Sequence, residues 1–223
     1  HAAGMLPVGV MGAGNRLEIT YADSRFQSFV CSIVKSTLEL GLTERLQALD
    51  GIVFHSICDP ARNLASVFKR NFPDLFVDYL HFPQNMQSPR AVDYLVSEYR
   101  RVLAGLQGLT GREVNDEDIA GSIQLYNLIR ALIRFLYGLR KDQPHLLSAA
   151  ETLLLVQAGT LLPPEEYLPL LEESQEALVK REARPRDRIK VVLEGAFCEV
   201  PPLELVQSLE EAGCYILDDD FLS

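Results

Sequence analysis

Apolar residues change their spacing as this 223-residue chain proceeds, and each change marks a new element. Leu6 to Met11 is a short apolar run followed by Gly12, Gly14 and Asn15, which predicts a strand and then a turn. From Asp23 onward, Phe26, Phe29, Val30, Ile33, Val34 and Leu38 recur at helical spacing, and Gly41 closes the segment. Ile52 to His55 is a compact apolar run after the Asp50-Gly51 turn, and it reads as a buried strand. Cys58-Asp59-Pro60 follows at once. Asp59 suits an N-cap and Pro60 the first helical position, so a helix is expected from Pro60 to about Arg70. Leu75 to Leu80 then reads as another strand. Strand–helix alternation of this kind predicts a parallel sheet covered by helices.

The middle of the chain has only the longer period. Val92, Leu95, Tyr99, Val102 and Leu106 form a helical stripe over Ala91–Leu106. Asn115 can cap a second helix running to about Leu139, and Pro144 to Gly159 and Pro164 to Lys180 supply two more. Arg181 to Asp187 is a charged breaker, after which Ile189 to Leu193 returns to a buried strand. A helix over about Pro202 to Ala212, Gly213 as its C′ residue and a strand at Cys214–Leu217 complete the pattern. The expected fold class is therefore α/β. Residues 1–88 form a first Rossmann-like parallel-sheet domain, 89–185 a helical insert, and 186–223 the start of a second Rossmann-like domain. So short a second sheet, with a start that lacks an initiator Met, predicts a piece of a longer protein cut at both ends.

Composition narrows the function classes. Hydrophobic residues make up 48% and charged residues 23%, as in ordinary globular chains. The formal net charge of −10 argues against binding nucleic acid, which needs a basic face to displace counterions. It also disfavours anionic membrane surfaces, and no apolar run reaches the length of a membrane span. His1-Ala-Ala-Gly-Met lacks the basic head of a signal peptide, so a cytoplasmic location is expected. The four cysteines, Cys31, Cys58, Cys198 and Cys214, are too few and too scattered for a disulfide scaffold.

Two of them share one local grammar. Ile52–His55 leads to Cys58 and then a helix; Ile189–Leu193 leads to Cys198-Glu199-Val200-Pro201 and then a helix. Ligands of open parallel sheets bind beyond the carboxyl ends of the strands, where both cysteines fall. A helix N-terminus beside Cys58 favours a thiolate or an anionic group, although a buried structural thiol fits the same position. Cys31 alone reads as a packing residue in or just before a helix, and Cys214 as core at the opposite end of a strand. His55 and His81 lie near strand ends and could face a cleft, whereas His145 belongs to a turn flanking a helix. Gly9, Gly12 and Gly14 fit neither the dinucleotide fingerprint nor the Walker pattern, and a plain turn explains them. No CxxC pair is present, so a zinc ribbon or a ferredoxin-type loop is not expected. Glu165, Glu166, Glu172 and Glu173 read as a solvated helix face.

Several phrases in order go further. They are Ala22-Asp-Ser-Arg-Phe-Gln-Ser-Phe-Val-Cys31-Ser-Ile-Val-Lys35, Asp50-Gly-Ile-Val-Phe-His-Ser-Ile-Cys58-Asp-Pro-Ala-Arg-Asn63 and Tyr79-Leu-His-Phe-Pro-Gln-Asn85. Leu125-Tyr-Asn-Leu-Ile-Arg130, Phe197-Cys-Glu-Val-Pro-Pro202 and Glu211-Ala-Gly-Cys-Tyr-Ile-Leu-Asp-Asp-Asp220 follow. Together they resemble the benzoyl-CoA reductase / 2-hydroxyacyl-CoA dehydratase family over essentially the whole chain. The wording is most similar to the B-type (beta) subunit of the ATP-dependent benzoyl-CoA reductases.

The resemblance implies two Rossmann-like domains with helical additions and a [4Fe–4S] cluster in the cleft between them. Cys31 and Cys58 fall where the family's first two cluster cysteines occur, and the third is expected beyond Ser223, with Cys198 as the alternative. It further implies reduction of a CoA thioester through a ketyl radical. The electron comes from a separate activator that hydrolyses ATP on its own, and a homologous active-site subunit is the partner. His55, Asp59 and Arg62 become weak candidates for tuning the site or binding CoA phosphate, alongside capping and packing roles. Benzoyl-CoA reduction to a cyclic dienoyl-CoA is the leading expectation. A 2-hydroxyacyl-CoA dehydratase subunit is the first alternative, and a non-catalytic cluster-carrying or scaffold subunit the second.

Overall fold

The computed structural model describes residues 1–195 and 200–220, the side chain of Asn15 excepted. These residues form two compact units. One comprises Val10–Val114; the other joins His1–Gly9 to the chain from Asn115 onward. The division falls between the first two of the long helices in the expected helical region, so that region is shared between the units.

In the Val10–Val114 unit, strands β1 (Gly51–His55) and β2 (Phe76–Leu80) pair in parallel, with Gly51 opposite Phe76 and His55 opposite Leu80. The crossover between them is α2 (Asp59–Asn71), which packs beside α1 (Ser32–Leu42). Val34 and Leu38 of α1, Leu64 and Phe68 of α2, and Val77 of β2 bury together, with Ile52 and Phe54 of β1 against them. Phe68 is fully buried, its ring centroid 5.2 Å from that of Phe54 and 5.0 Å from that of Phe72. Gly41 is required by this packing, since a Cβ there would lie 2.7 Å from the Phe72 ring. The third helix, α3 (Ala91–Thr110), lies against β2 and ends at Gly111 in the left-handed conformation.

Two local expectations need correction. Leu6–Met11 forms no strand: its backbone makes a single long-range bond, from the Gly9 N–H to the Thr160 carbonyl at 2.8 Å. Leu6, Val8 and Met11 stay 50%, 38% and 44% exposed, so no sheet face exists for them to bury against. The glycines that follow do make the expected turn, with Gly12 at φ 70° and Gly14 at φ 52°. The helical spacing that begins at Phe26 is also misleading. A 3₁₀ turn at Ala22–Arg25 gives way to extended backbone at Phe26, and α1 starts only at Ser32, capped by Cys31. Val30 reaches the core without being helical, whereas Phe29 is 82% exposed. In α2 the cap is Cys58, not Asp59, which opens the first turn beside Pro60. The one-residue shift is of the size by which helix ends are ordinarily ambiguous.

The other unit is mainly helical. Helix α4 (Asp116–Asp142) starts at a reciprocal cap: the Asn115 side chain accepts the Asp118 N–H at 2.9 Å, and the Asp118 carboxylate accepts the Asn115 N–H at 3.1 Å. Ser148 and Glu151 build the same device for α5 (Ala149–Ala158). Ile129 and Leu136 of α4 bury against Tyr167, Leu171 and Leu178 of α6 (Pro164–Val179). The strands β3 (Ile189–Leu193) and β4 (Cys214–Asp219) pair in parallel around α7 (Leu203–Glu211), again a strand–helix–strand unit. Parallel α/β architecture is thus present in both units, as the sequence alternation predicts. Among the described residues, no helix is long and apolar enough to cross a membrane.

Arg140, 1% exposed, links α4 to β4. Its guanidinium donates to Asp219 Oδ2 at 2.6 Å and to the Leu217 carbonyl at 3.3 Å, and it lies 4.5 Å from the centre of the Tyr137 ring. The Tyr137 hydroxyl donates to the second oxygen of Asp219 at 3.1 Å. A buried pair gains little over an apolar replacement, but losing one partner strands the other charge. Arg140→Met should therefore cost about 3–5 kcal/mol in urea unfolding, and Arg140→Met with Asp219→Leu distinctly less. Equal losses for the single and double variants would show that the pair is not what matters at this position.

Candidate functional site

Parallel pairing sends the carboxyl ends of β1 and β2 to the same edge of the sheet. The loop Ser56–Cys58 leaves β1 there, and His81–Ser88 leaves β2. Between them lies a cavity of about 620 Å³, closed on one side by the first turn of α2 and on another by the start of α3. Cys58 lines it from the N-cap of α2, with extended backbone (φ −154°, ψ 171°) and an exposed thiol. The Cys58 carbonyl accepts the Arg62 N–H at 3.0 Å, so the first helical bond fixes the residue that carries the sulfur. Asp59 and Arg62 share the wall, and Arg90, Ala91 and Tyr94 face them from α3 and its cap. Two arginines against one aspartate give this cavity a positive bias in a chain whose net charge is −10. Anionic guests are favoured.

Side chains below the cavity hold its shape. The Tyr79 hydroxyl donates to Ser56 Oγ at 2.9 Å, and the same oxygen accepts the Phe82 N–H at 3.3 Å. This ties the loop after β1 to the loop after β2. The His81 ring stands edge-on to Tyr79 with centroids 4.6 Å apart. Arg101 of α3 donates to both oxygens of Asp78 at 2.8 Å, to the Tyr79 carbonyl at 2.6 Å and to Glu98 at 3.0 Å. Glu98 in turn accepts the His81 N–H at 3.3 Å. The Arg101 hydrogen bond, aided by that N–H, outweighs desolvation and holds the Glu98 carboxyl below its ordinary value. Bonds to Glu98 and then Asp78 push Arg101 further up, so its charge is permanent. This bidentate clamp is what fixes α3, and with it one wall of the cavity, against β2.

The expected site residues divide. Cys58, Asp59 and Arg62 come together in the cavity, as does His81. His55, at the end of β1, is exposed and does not line it. Cys31 is exposed at the N-cap of α1 and is not part of the lining either. Cys198 lies outside the described residues. Cys214 opens β4 half-buried, in keeping with a packing role. Sequence reasoning missed Ser56, Arg90 and Tyr94. Arg90 and Tyr94 reach the site only because α3 folds back on β2, which local patterns do not record. The available donor set has the right chemistry for iron–sulfur ligation, since both thiols cap helices that pack on one another. It is not a complete set: among the described residues, no three or more His, Cys, Asp or Glu side chains are grouped to hold a metal.

Comparison with known proteins places these residues in a wider context. The sequence model of the family described as "2-hydroxyglutaryl-CoA dehydratase, D-component" matches residues 1–223. The chain is 44% identical over 222 residues to one of the benzoyl-CoA reductase subunits of Thauera aromatica, covering 100% of this chain and 58% of that protein. It is 29% identical over 221 residues to "(R)-2-hydroxyglutaryl-CoA dehydratase, subunit beta" of Acidaminococcus fermentans, covering 99% and 58% respectively. Identity to "Lactoyl-CoA dehydratase subunit beta" of Anaerotignum propionicum is 30% over 220 residues, covering 99% and 57%. The chain thus spans less than two thirds of the length of these curated relatives.

The Glu98–His81 contact gives a direct check on the cavity wall. A carboxyl with a depressed folded value contributes stability above its unfolded value, here near 4.5, and that contribution is lost as pH falls through the folded value. The His81 amide resonance should therefore titrate with a midpoint below 4.5, and Glu98→Gln should abolish that titration. A midpoint at or above the ordinary value would show the clamp is not formed in solution.

Proposed function

The chain belongs to the 2-hydroxyglutaryl-CoA dehydratase D-component family, and from that premise we propose that it is the larger part of an iron–sulfur active-site subunit of a benzoyl-CoA reductase. The reaction is ATP-coupled, low-potential reduction of the aromatic ring of benzoyl-CoA to a cyclic dienoyl-CoA through ketyl radical chemistry. The observation that carries this reading over its neighbours is the 44% identity, along all of the chain, to a benzoyl-CoA reductase subunit, against 29% and 30% for the dehydratase subunits.

In this reading Cys31 and Cys58 are ligands of a [4Fe–4S] cluster, with the third cysteine outside the chain or supplied by Cys198. When bound, such a cluster supplies single electrons at a potential set by its ligands, net charge and burial. The chain's own residues shape the surroundings. Arg62 and Arg90 bring positive charge to a cavity that suits the anionic CoA thioester, and Asp59 and His55 modulate the field near the Cys58 thiol. The Ser56–Tyr79 bond and the Arg101 clamp keep the walls in place without side-chain rearrangement when a guest enters. Residues 186–223 open a second Rossmann-like domain, continuing the β3–β4 pairing. The partners are a homologous active-site subunit and a separate activator that uses ATP and carries its own cluster. The setting is cytoplasmic.

A second reading, a 2-hydroxyacyl-CoA dehydratase subunit that eliminates water after the same ketyl step, is favoured by the family description and the dehydratase relatives. A third, a cluster-carrying or scaffold subunit that only docks its partner, is favoured by the absence of Cys31 from the cavity lining. Anaerobic assay of the complete protein with its partner subunit, activator and ATP separates them. Consumption of benzoyl-CoA with formation of a dienoyl-CoA, lost in Cys58→Ser, is the expected result. Turnover of a 2-hydroxyacyl-CoA alone would transfer the assignment to the dehydratases, and full activity in Cys58→Ser to a scaffold.

A further inference from the structure

Three neighbouring residues of α1 put buried polar groups where a helix core-face would ordinarily be apolar. Lys35, Ser36 and Glu39 are 6%, 0% and 1% exposed. None of them lines the cavity, and each is spent on the backbone or side chains of the segment that leads into Cys31. Ser36 Oγ accepts the Ala13 N–H at 3.1 Å. The Glu39 carboxylate accepts the Tyr21 N–H at 2.9 Å and the Ala22 N–H at 2.7 Å. Lys35 Nζ donates to Asp23 at 2.6 Å and to the Ser28 carbonyl at 3.4 Å. The segment between residues 12 and 28 is therefore a strap laid across α1 and fastened at successive points.

The strap is tight at its beginning and braced in its middle. Gly12 approaches α1 so closely that a Cβ there would lie 2.7 Å from Ser36 Oγ and 3.0 Å from Ile33 Cγ1. Arg25 ties the strap sideways to α2, donating to Asn71 Oδ1 at 3.2 Å. After Ser28 the chain turns once, with the Val30 N–H on the Gln27 carbonyl at 3.1 Å, and reaches Cys31 at the N-cap of α1. Burial works against the Glu39 charge, yet the backbone N–H groups of Ala22 and Tyr21 hold its carboxyl below the ordinary value. The anion is thus kept for its hydrogen bonds. A helix surface with no duty would carry an apolar residue there at less cost.

We propose that Lys35, Ser36 and Glu39 are positioning residues of the cluster site, which set where the Cys31 thiol stands relative to Cys58 by fastening the strap that delivers it. The proposal rests on the reading of Cys31 and Cys58 as ligands of one inorganic centre. Outer groups that orient ligands commonly change metal affinity by about 10–100-fold when removed. The same leverage is available here because the strap, α1 and α2 share one core.

The test uses the complete protein, anaerobic and metal-free, with Cys198 and Cys214 replaced by serine. Dibromobimane, a short bifunctional thiol reagent, reports by fluorescence and peptide mass whether Cys31 and Cys58 join. The parent should cross-link. Glu39→Gln, and independently Lys35→Met and Gly12→Ala, should cross-link about tenfold more slowly. Mono-alkylation of Cys58 and amide-exchange protection of β1 and α2 should stay unchanged, which a general loss of structure would not allow. Variants that cross-link at the parental rate overturn the positioning role while leaving the ligand reading intact. Slower cross-linking accompanied by lost protection in β1 and α2 overturns it as well, because the three residues would then serve the core alone. A parent that does not cross-link removes the ligand reading, and the positioning proposal with it.

Discussion

Parallel pairing of β1 with β2 leaves the chain no short way back. After His55 it must return along the full length of the sheet through α2 before β2 can begin. That constraint places the amino end of α2 beside the carboxyl ends of both strands, and everything at the site follows from it. Cys58 caps the helix at that edge, Arg62 sits one turn further on, and the loop after β2 closes the opposite side. The core beneath, centred on Phe68, has no other task than to keep α2 in that position.

Polar groups then do what the apolar core cannot. Hydrophobic contact is not directional, so it holds α3 near β2 without fixing the turn of the helix. The Arg101 fork on Asp78 supplies the direction, and Glu98 passes it to the His81 backbone. Elsewhere in the same unit Glu39, Lys35 and Ser36 perform the same service for the segment before Cys31. Both devices centre on charged side chains with satisfied hydrogen bonds. Among the described residues no buried side-chain nitrogen or oxygen lacks a partner.

The sequence was most legible where local chemistry decides the outcome. The runs at Ile52–His55 and Ile189–Leu193, the Asn115 cap and the proline after Cys58 each carry their signal within a few residues, and each element formed where expected. Leu6–Met11 has the composition of a strand but finds no partner strand, and pairing is not a local property. Phe26 and Val30 have helical spacing yet are brought to the core by a strap whose fasteners lie further along the chain, at residues 35 and 39. A Lys and a Glu on a helix read as solvated until the segment that covers them is seen. The cavity was half legible for the same reason. Strand-end logic finds Cys58, Asp59 and His81, whereas Arg90 and Tyr94 enter only through the docking of α3.

The central claim is that the thiols of Cys31 and Cys58 serve one iron–sulfur centre in a family of CoA-thioester enzymes. It is tested most directly by counting iron and acid-labile sulfide, with Mössbauer spectra, in the complete protein purified without oxygen and in its Cys31→Ser and Cys58→Ser forms. The account predicts a cubane signature in the parent and its loss or marked depletion in both variants alike. A cubane that survives either replacement undiminished, or a parent that carries no iron, would contradict it.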